Sequence, residues 1–277
     1  MNNTITLASG KTLSLSRPLV MGILNCTPDS FFDGGLHLRP EDALRCALQM
    51  IEGGADIIDI GGESTRPGSR AVSVSEEMAR VLPVVELLRR NSDIPLSIDT
   101  SKEEVARAAL NAGADIINDI TALTGSPKMA ELAAEKNAPV ILMHMRGLPQ
   151  NMQDNPAYGN VTEEVCGYLL EQARFAESKG IARDKIILDP GFGFGKTFAH
   201  NCRLLRELPQ IRAHGYPVLV GVSRKSMIGH ALGLEKEDRL IPSVALAVMA
   251  FERGAGILRV HDVKETRQAL DMAAAVI

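Results

Sequence analysis

A chain of 277 residues, 45% hydrophobic and 23% charged, has the balance of an ordinary globular protein and the length of one (β/α)8 barrel. A net charge of -4 argues against a broad nucleic-acid-binding surface, although a local cluster of cations can still hold one anion. Met1–Pro18 lacks the apolar core of a signal peptide, and the longest apolar run, Val244–Phe251, is too short to span a bilayer, so no membrane partner is expected.

In chain order, residues 1–18 read as a short N-terminal extension, hairpin-like, turning at Ser9-Gly10. Residues 19–277 read as the barrel. Apolar runs at 19–24, 56–60, 94–98, 115–118, 139–143, 185–189, 217–222 and 256–260 predict eight strands. They are rich in Ile, Val and Leu and do not alternate, as parallel strands covered on both faces do not. Helical spacing follows them, as in Leu44, Ala47, Leu48, Ile51 and in Met78, Val81, Leu82, Val85. Ser73 with Glu76, Asn160 with Glu163, and Asp262 with Glu265 have capping-box or near-capping-box spacing. Ser126 before Pro127 reads as an N-cap with proline at the first helical position. Two helices, 224–233 and 239–253, follow the seventh strand. The fold class is α/β, a single (β/α)8 TIM barrel. Cys26, Cys46, Cys166 and Cys202 form no C-x-x-C pair, so neither a disulfide framework nor a zinc knuckle is expected, and a reduced cytoplasm is the simplest compartment.

Each apolar run stops at polar residues: Asn25, Gly61–Arg66, Asp99, Asn118, His144, Asp189, Ser223–Lys225 and Arg259–His261. A barrel's active site lies at this C-terminal end of its strands. The connections 25–39 and 61–74 are long and without helical period, as substrate-contacting loops are. Asp99 and Asp189 serve there either as a general acid/base pair or as acceptors for a heterocycle with adjacent N–H and NH2 groups, such as a pterin. Asn118 donates and accepts, so it can complete the second pattern. A third reading pairs the acids with Lys225 or Arg259 as structural ion pairs. Arg66, Lys225, Arg259 and His261 supply the positive side, and the loops after strands seven and eight are where barrels often hold phosphate. Ser223–Ser226 opens a helix whose N–H groups add to anion binding. With Asn25 a candidate Mg2+ ligand, the set suits a diphosphate.

Pro190–Thr197 ends like a P-loop, but Pro190 stands where the motif requires its first glycine. It reads as a glycine-rich turn that lets Phe192 or Phe194 approach a flat ligand. His144-Met145 resembles a soft metal pair. With no second His or Cys nearby, it reads as packing at the barrel mouth.

Met21–Phe31 resembles the first signature of the dihydropteroate synthase family, and Gly61–Gly68 its second. Ser97–Thr100, Ile117–Asp119, Leu188–Lys196, Ser223–Ser226 and Arg259–His261 follow in that family's order. The resemblance runs from Leu19 to the C-terminus. It implies condensation of 7,8-dihydropterin-6-ylmethyl diphosphate with 4-aminobenzoate, giving 7,8-dihydropteroate and diphosphate in folate synthesis. It implies Asp99, Asp189, Lys225, Arg259 and His261 as catalytic residues. The pterin diphosphate would lie among Thr65, Arg66, Asp99, Asn118, Asp189, Lys225, Arg259, Val260 and His261. Aminobenzoate would lie among Phe31, Pro67, Phe194, Lys225 and Ser226. Mg2+ would be bound at Asn25, and a homodimer would form through the last helices. Cys26 and Phe32 depart from the family's usual aliphatic residue and Ser, and Phe32 bears on sulfonamide sensitivity. Two rivals share parts of this pattern. One is a barrel that moves a methyl group from methyltetrahydrofolate, and the other is a non-catalytic pterin-binding module.

Overall fold

In the computed structural model, which describes residues 4–27, 32–33, 37–64, 71–148 and 151–276, all eight expected strands form one parallel sheet. Strands β1 (Thr4–Thr6) and β2 (Thr12–Ser14) make the N-terminal hairpin, with Gly10 at φ +84° in its turn. Barrel strands then alternate with helices: β3 (Leu19–Asn25), α1 (Pro40–Glu52), β6 (Ile57–Gly61), α2 (Val74–Asn91), β7 (Leu96–Asp99), α3 (Glu103–Asn111), β8 (Ile116–Asp119), α4 (Met129–Glu135), β9 (Val140–Met143), α5 (Val161–Ser178) and β10 (Ile186–Asp189). Helices α6 (Phe198–Arg206) and α7 (Leu208–Arg212) lead to β11 (Leu219–Val220). The expected pair, α8 (Ser226–Leu232) and α9 (Leu240–Glu252), precedes β12 (Ile257–Val260) and α10 (Val263–Val276). Within the first long connection, β4 (Phe32–Asp33) pairs antiparallel with β5 (His37–Leu38), a small element the sequence pattern did not announce.

The strand order is β10-β9-β8-β7-β6-β3-β12-β11, and a parallel bridge between Leu188 and Val218 brings its two edges together. Successive strand residues face alternately into the barrel and out toward the helices. The inward set at the lower layers is Leu19, Met21, Ile57, Ile116, Ile141, Ile187, Leu219 and Ile257, all buried together. Ile5, Leu7 and Leu13 of the hairpin join this cluster, so the extension plugs the barrel's lower end. The outward set, including Val20, Ile58, Ile117, Val140, Leu188 and Leu258, packs under the helices.

Local signals mostly hold, with three adjustments. Ser73 caps α2 by accepting from the Glu76 N–H at 3.2 Å. Asn160 caps α5, but the reciprocal acceptor for its N–H is Glu164, one residue beyond the one the spacing indicated. α4 starts at Met129 and not beside Ser126, and the Asp262 carboxylate takes two hydrogen bonds from Arg224. No helix among the described residues is long and apolar enough to cross a membrane.

The plug generates an expectation about stability. Ile5 is fully buried, so Ile5→Ala should cost about 2–4 kcal/mol through lost burial and a residual cavity. Chemical denaturation checks it, and an unchanged midpoint would mean that the hairpin packs loosely.

Candidate active site

The upper inward positions carry polar groups instead of aliphatic ones. Asp59 and Asp99 on β6 and β7, Asn118 on β8, Asp189 on β10 and Arg259 on β12 converge at the barrel mouth. Arg259 donates from Nε to Asp59 Oδ2 at 2.6 Å and from Nη2 to Asp99 Oδ2 at 2.7 Å. Asn118 Nδ2 donates to the same Asp59 oxygen at 3.1 Å. Asp59 is 0% exposed, and its Oδ1 and the neighbouring Ser97 Oγ have no hydrogen-bond partner in the structure. Burial raises the Asp99 carboxyl above the ordinary range while the Arg259 guanidinium pulls it down. Of the three sequence readings of these acids, the ion pair with Arg259 is therefore realised for Asp99. Asp59 was not singled out from the sequence. It is an inward position two residues before the strand end at Gly61, and that parity was the available signal.

Asp189 is 6% exposed and accepts from the Gly191 N–H at 2.8 Å, which fixes the start of the glycine-rich turn. Burial raises its carboxyl, against that N–H and the charge of Lys225. Gly191 and Gly195 have φ of +67° and +61°, and an added Cβ would lie 1.9 Å from the His144 carbonyl oxygen and 2.2 Å from that of Arg146. The glycines are thus required by the turn's packing against residues 144–146. Phe192 is 1% exposed and belongs to the core, so it does not approach a ligand; that part of the expectation is corrected. Phe194 lies beside the cavity, under Lys225 Nζ at 4.2 Å from its ring centre.

A cavity of about 510 Å³ opens at this mouth. Asn25, Asp99, Phe194, Lys225, Ser226, Arg259 and His261 of the predicted site line it. Asn118 and Asp189 are nearly buried and are not part of its lining. The Val260 side chain points the other way, into the helix-facing core, because it follows an inward-facing residue, so only its backbone is left to meet a ligand. Phe31, Thr65, Arg66 and Pro67 lie outside the described residues. Glu63, Ser64, Met152, Gln153, Ser223, Arg224 and Lys236 also line the cavity without having been singled out as its residues, apart from the motif runs that contain four of them.

Charge in this cavity is set by burial. Burial, then the neighbouring Arg259, pushes Lys225 down to about 8, against the pull of Asp189 and Asp99. Burial and Arg259 likewise hold His261 down at about 4, so its ring is neutral at pH 7; its Nδ1 is 3.0 Å from Ser223 Oγ. Arg224, in the run expected to bind an anion, is committed to Asp262 at 2.9 and 2.6 Å. His144 packs edge-on to Tyr168 and bonds Lys196, as the packing reading requires. At the base of the second long connection, Lys102 bridges Glu63 and the fully buried Glu77, and Glu63 also accepts from the Val72 N–H at 3.1 Å. Among the described residues no three His, Cys, Asp or Glu side chains form a metal cluster. A lone amide at Asn25 still suits Mg2+, which binds through few protein ligands when phosphate oxygens and water supply the rest.

Residues 21–261 match the family model described as pterin binding enzyme. The chain is 52% identical over 270 residues to the dihydropteroate synthase of Escherichia coli (strain K12), covering 98% of this chain and 95% of that one. It is similar, at 48% identity and a TM-score of 0.93, to the structure of Xanthomonas albilineans dihydropteroate synthase with 4-aminobenzoic acid, over 100% of this chain and 98% of the other. The dihydropteroate synthase of that organism in complex with 7,8-dihydropteroate matches at 46% identity and a TM-score of 0.89, over 99% and 98%.

Arg259 and its two acids form a testable unit. Arg259→Ala would leave Asp59 and Asp99 buried side by side without their cation, at a cost of about 3–5 kcal/mol. Adding Asp59→Asn should recover part of that loss. Denaturation midpoints of the single and double variants give the coupling. Simple additivity would show that the three groups do not share one charge balance.

Proposed function

The chain belongs to the dihydropteroate synthases of the pterin-binding enzyme family, and on that premise we propose how its cavity holds the two substrates. The enzyme is a transferase. It joins 7,8-dihydropterin-6-ylmethyl diphosphate to 4-aminobenzoate and releases 7,8-dihydropteroate and diphosphate, in folate biosynthesis. The observation that carries the orientation is a polarity across the barrel mouth, with Asp189 and Asn118 nearly buried on one side and Lys225, Arg259 and His261 beside the cavity.

The donor-rich edge of the pterin faces Asp189 and Asn118, with Asp99 and Lys225 beside it. The diphosphate faces Arg259 and His261, together with Thr65 and Arg66. Arg259 spends Nε and Nη2 on the two acids, and its charge acts on the leaving group from that fixed position. His261 contributes a hydrogen bond and no charge, since its ring is neutral. Aminobenzoate stacks near Phe194, with the Lys225 stem, Ser226, Phe31 and Pro67 around it. The bond from the pterin methylene to the diphosphate oxygen breaks, the arylamine nitrogen attacks that carbon, and the amine then loses its proton to water. No strong base is needed. Asn25 would hold Mg2+, which would supply further neutralisation of the departing charge. The relatives support this reading over methyl transfer from methyltetrahydrofolate or passive pterin binding.

A homodimer fits the exposed Ile241, Met249, Met272 and Val276 on α9 and α10. Free thiols at Cys26, Cys46, Cys166 and Cys202 fit a reducing cytoplasm. The remaining partners are the two small-molecule substrates.

Diphosphate release in the presence of both substrates tests the activity. Release without aminobenzoate incorporation, or none at all, would overturn it. Asp189→Asn places an amide where a carboxylate faces N–H donors. Two charge-assisted bonds at roughly 1.5–3 kcal/mol each make the expected loss of pterin affinity at least about a hundredfold. Calorimetry with a phosphate-free pterin reads it directly. Lys225 is protonated below about 8 and loses its charge above. The KM for the diphosphate substrate should therefore rise as pH climbs through that value, and Lys225→Met should lack the dependence; a flat wild-type profile would remove Lys225 from the charge balance.

A further inference from the structure

Lys196 closes the stretch that ends like a P-loop and is not among the residues proposed to meet the substrates. It is 3% exposed and does not line the cavity. Its Nζ is 2.9 Å from His144 Nδ1 and donates to the carbonyl oxygens of Gly191 at 2.9 Å, Phe194 at 3.1 Å and His144 at 3.3 Å. Two of these carbonyls belong to the glycine-rich turn and one to the segment packed beneath it. Four acceptor positions therefore surround this one nitrogen, and its protons are directed into this seam.

The other groups of the turn are also fastened from behind. The Gly193 carbonyl accepts from Gln153 and the Gly195 carbonyl from Tyr158 at 2.8 Å. The Gly193 N–H donates to Asn201 Oδ1 at 2.8 Å, and Phe194 N–H to the Gly191 carbonyl at 3.1 Å. Lys196 differs from these because it crosses the seam, joining the turn to residue 144. Burial holds the His144 ring neutral, with its pKa down at about 3, and in the tautomer protonated at Nε2 its Nδ1 accepts from Lys196. Without Lys196, the Phe194 carbonyl and the buried His144 Nδ1 would each lose the partner the structure gives them.

We infer that Lys196 is a positioning residue for the ring-binding half of the site, acting through the 191–195 turn on Phe194 and on Asp189, and not a phosphate ligand. The inference rests on the placement of the pterin and aminobenzoate rings beside that turn. A lysine ending a glycine-rich run suggests phosphate chemistry, but its nitrogen here is turned inward and engaged by the turn and by residue 144. Burial pushes Lys196 down to about 7; of the charged groups near it, Asp189 favours its proton and Lys225 and Arg146 disfavour it.

Lys196→Met keeps the stem and removes the donors. Calorimetry should show affinity for 6-hydroxymethylpterin weakened at least about tenfold, the equivalent of one lost hydrogen bond, while inorganic diphosphate binds within about twofold of wild type. Hydrogen exchange in the peptide spanning 190–197 should accelerate. Lys196→Gln, which retains two N–H donors, should restore part of both effects, and it serves if the Met variant does not accumulate folded. Loss of diphosphate binding with pterin binding intact would make Lys196 a phosphate ligand and overturn the inference. So would unchanged pterin binding with a protected turn in either variant. A wild-type protein that binds no pterin would instead count against the substrate orientation, and the exchange rates would still decide whether Lys196 holds the turn.

Discussion

A guanidinium held between two buried carboxylates organises the mouth of this barrel. Arg259 reaches Asp59 on one side and Asp99 on the other, and Asn118 joins through the same Asp59 oxygen. None of these charges is affordable alone at that depth. Together they tie β6, β7, β8 and β12 at the level where the aliphatic layers end. The residues proposed to meet the substrates are therefore also the ones that keep the upper barrel electrically balanced. The same depth depresses Lys225 and His261, leaving the lysine mostly charged and the imidazole neutral at neutral pH.

The remaining half of the site is built by backbone instead of charge. The turn 191–195 follows Asp189 directly, and its glycines let it lie against the carbonyls of residues 144 and 146. That contact converts a flexible sequence into a shelf for Phe194. A barrel strand fixes where the shelf begins, and hydrogen bonds from Gln153, Tyr158, Lys196 and Asn201 fix where it goes. The mouth thus combines a strand-borne ionic part, which is rigid because unpairing is expensive, with a loop-borne part held by hydrogen bonds from several elements.

The strands and their polar ends were legible because buried parallel strands are continuous apolar runs, and a polar stop at 25, 99, 118 or 189 stands out against them. What faces inward was harder to read. Asp59 sits inside an apolar run, and only its parity with Gly61 distinguishes it. Val260 lies between two genuine cavity residues and yet faces outward, because adjacent residues on a strand cannot share a face. Phe192 and Phe194 look equivalent in sequence, but one is core and the other lines the cavity. Lys102 with Glu63 and Glu77 was not legible at all. Its three residues come from separate loops and helices, and nothing local to any of them indicates the partners.

The hairpin at residues 4–14 has a consequence for the order of assembly. Its Ile5, Leu7 and Leu13 pack against residues as distant as Leu219 and Ile257, so their docking surface is complete only when the last strand has been synthesised. These contacts span nearly the whole chain, and loop-closure entropy disfavours them until the intervening strands have already paired. Residues 5–13 thus leave the ribosome before every barrel strand they pack against and are among the last to find their native neighbours. Until then their apolar side chains stay exposed to other surfaces, including those of other nascent chains.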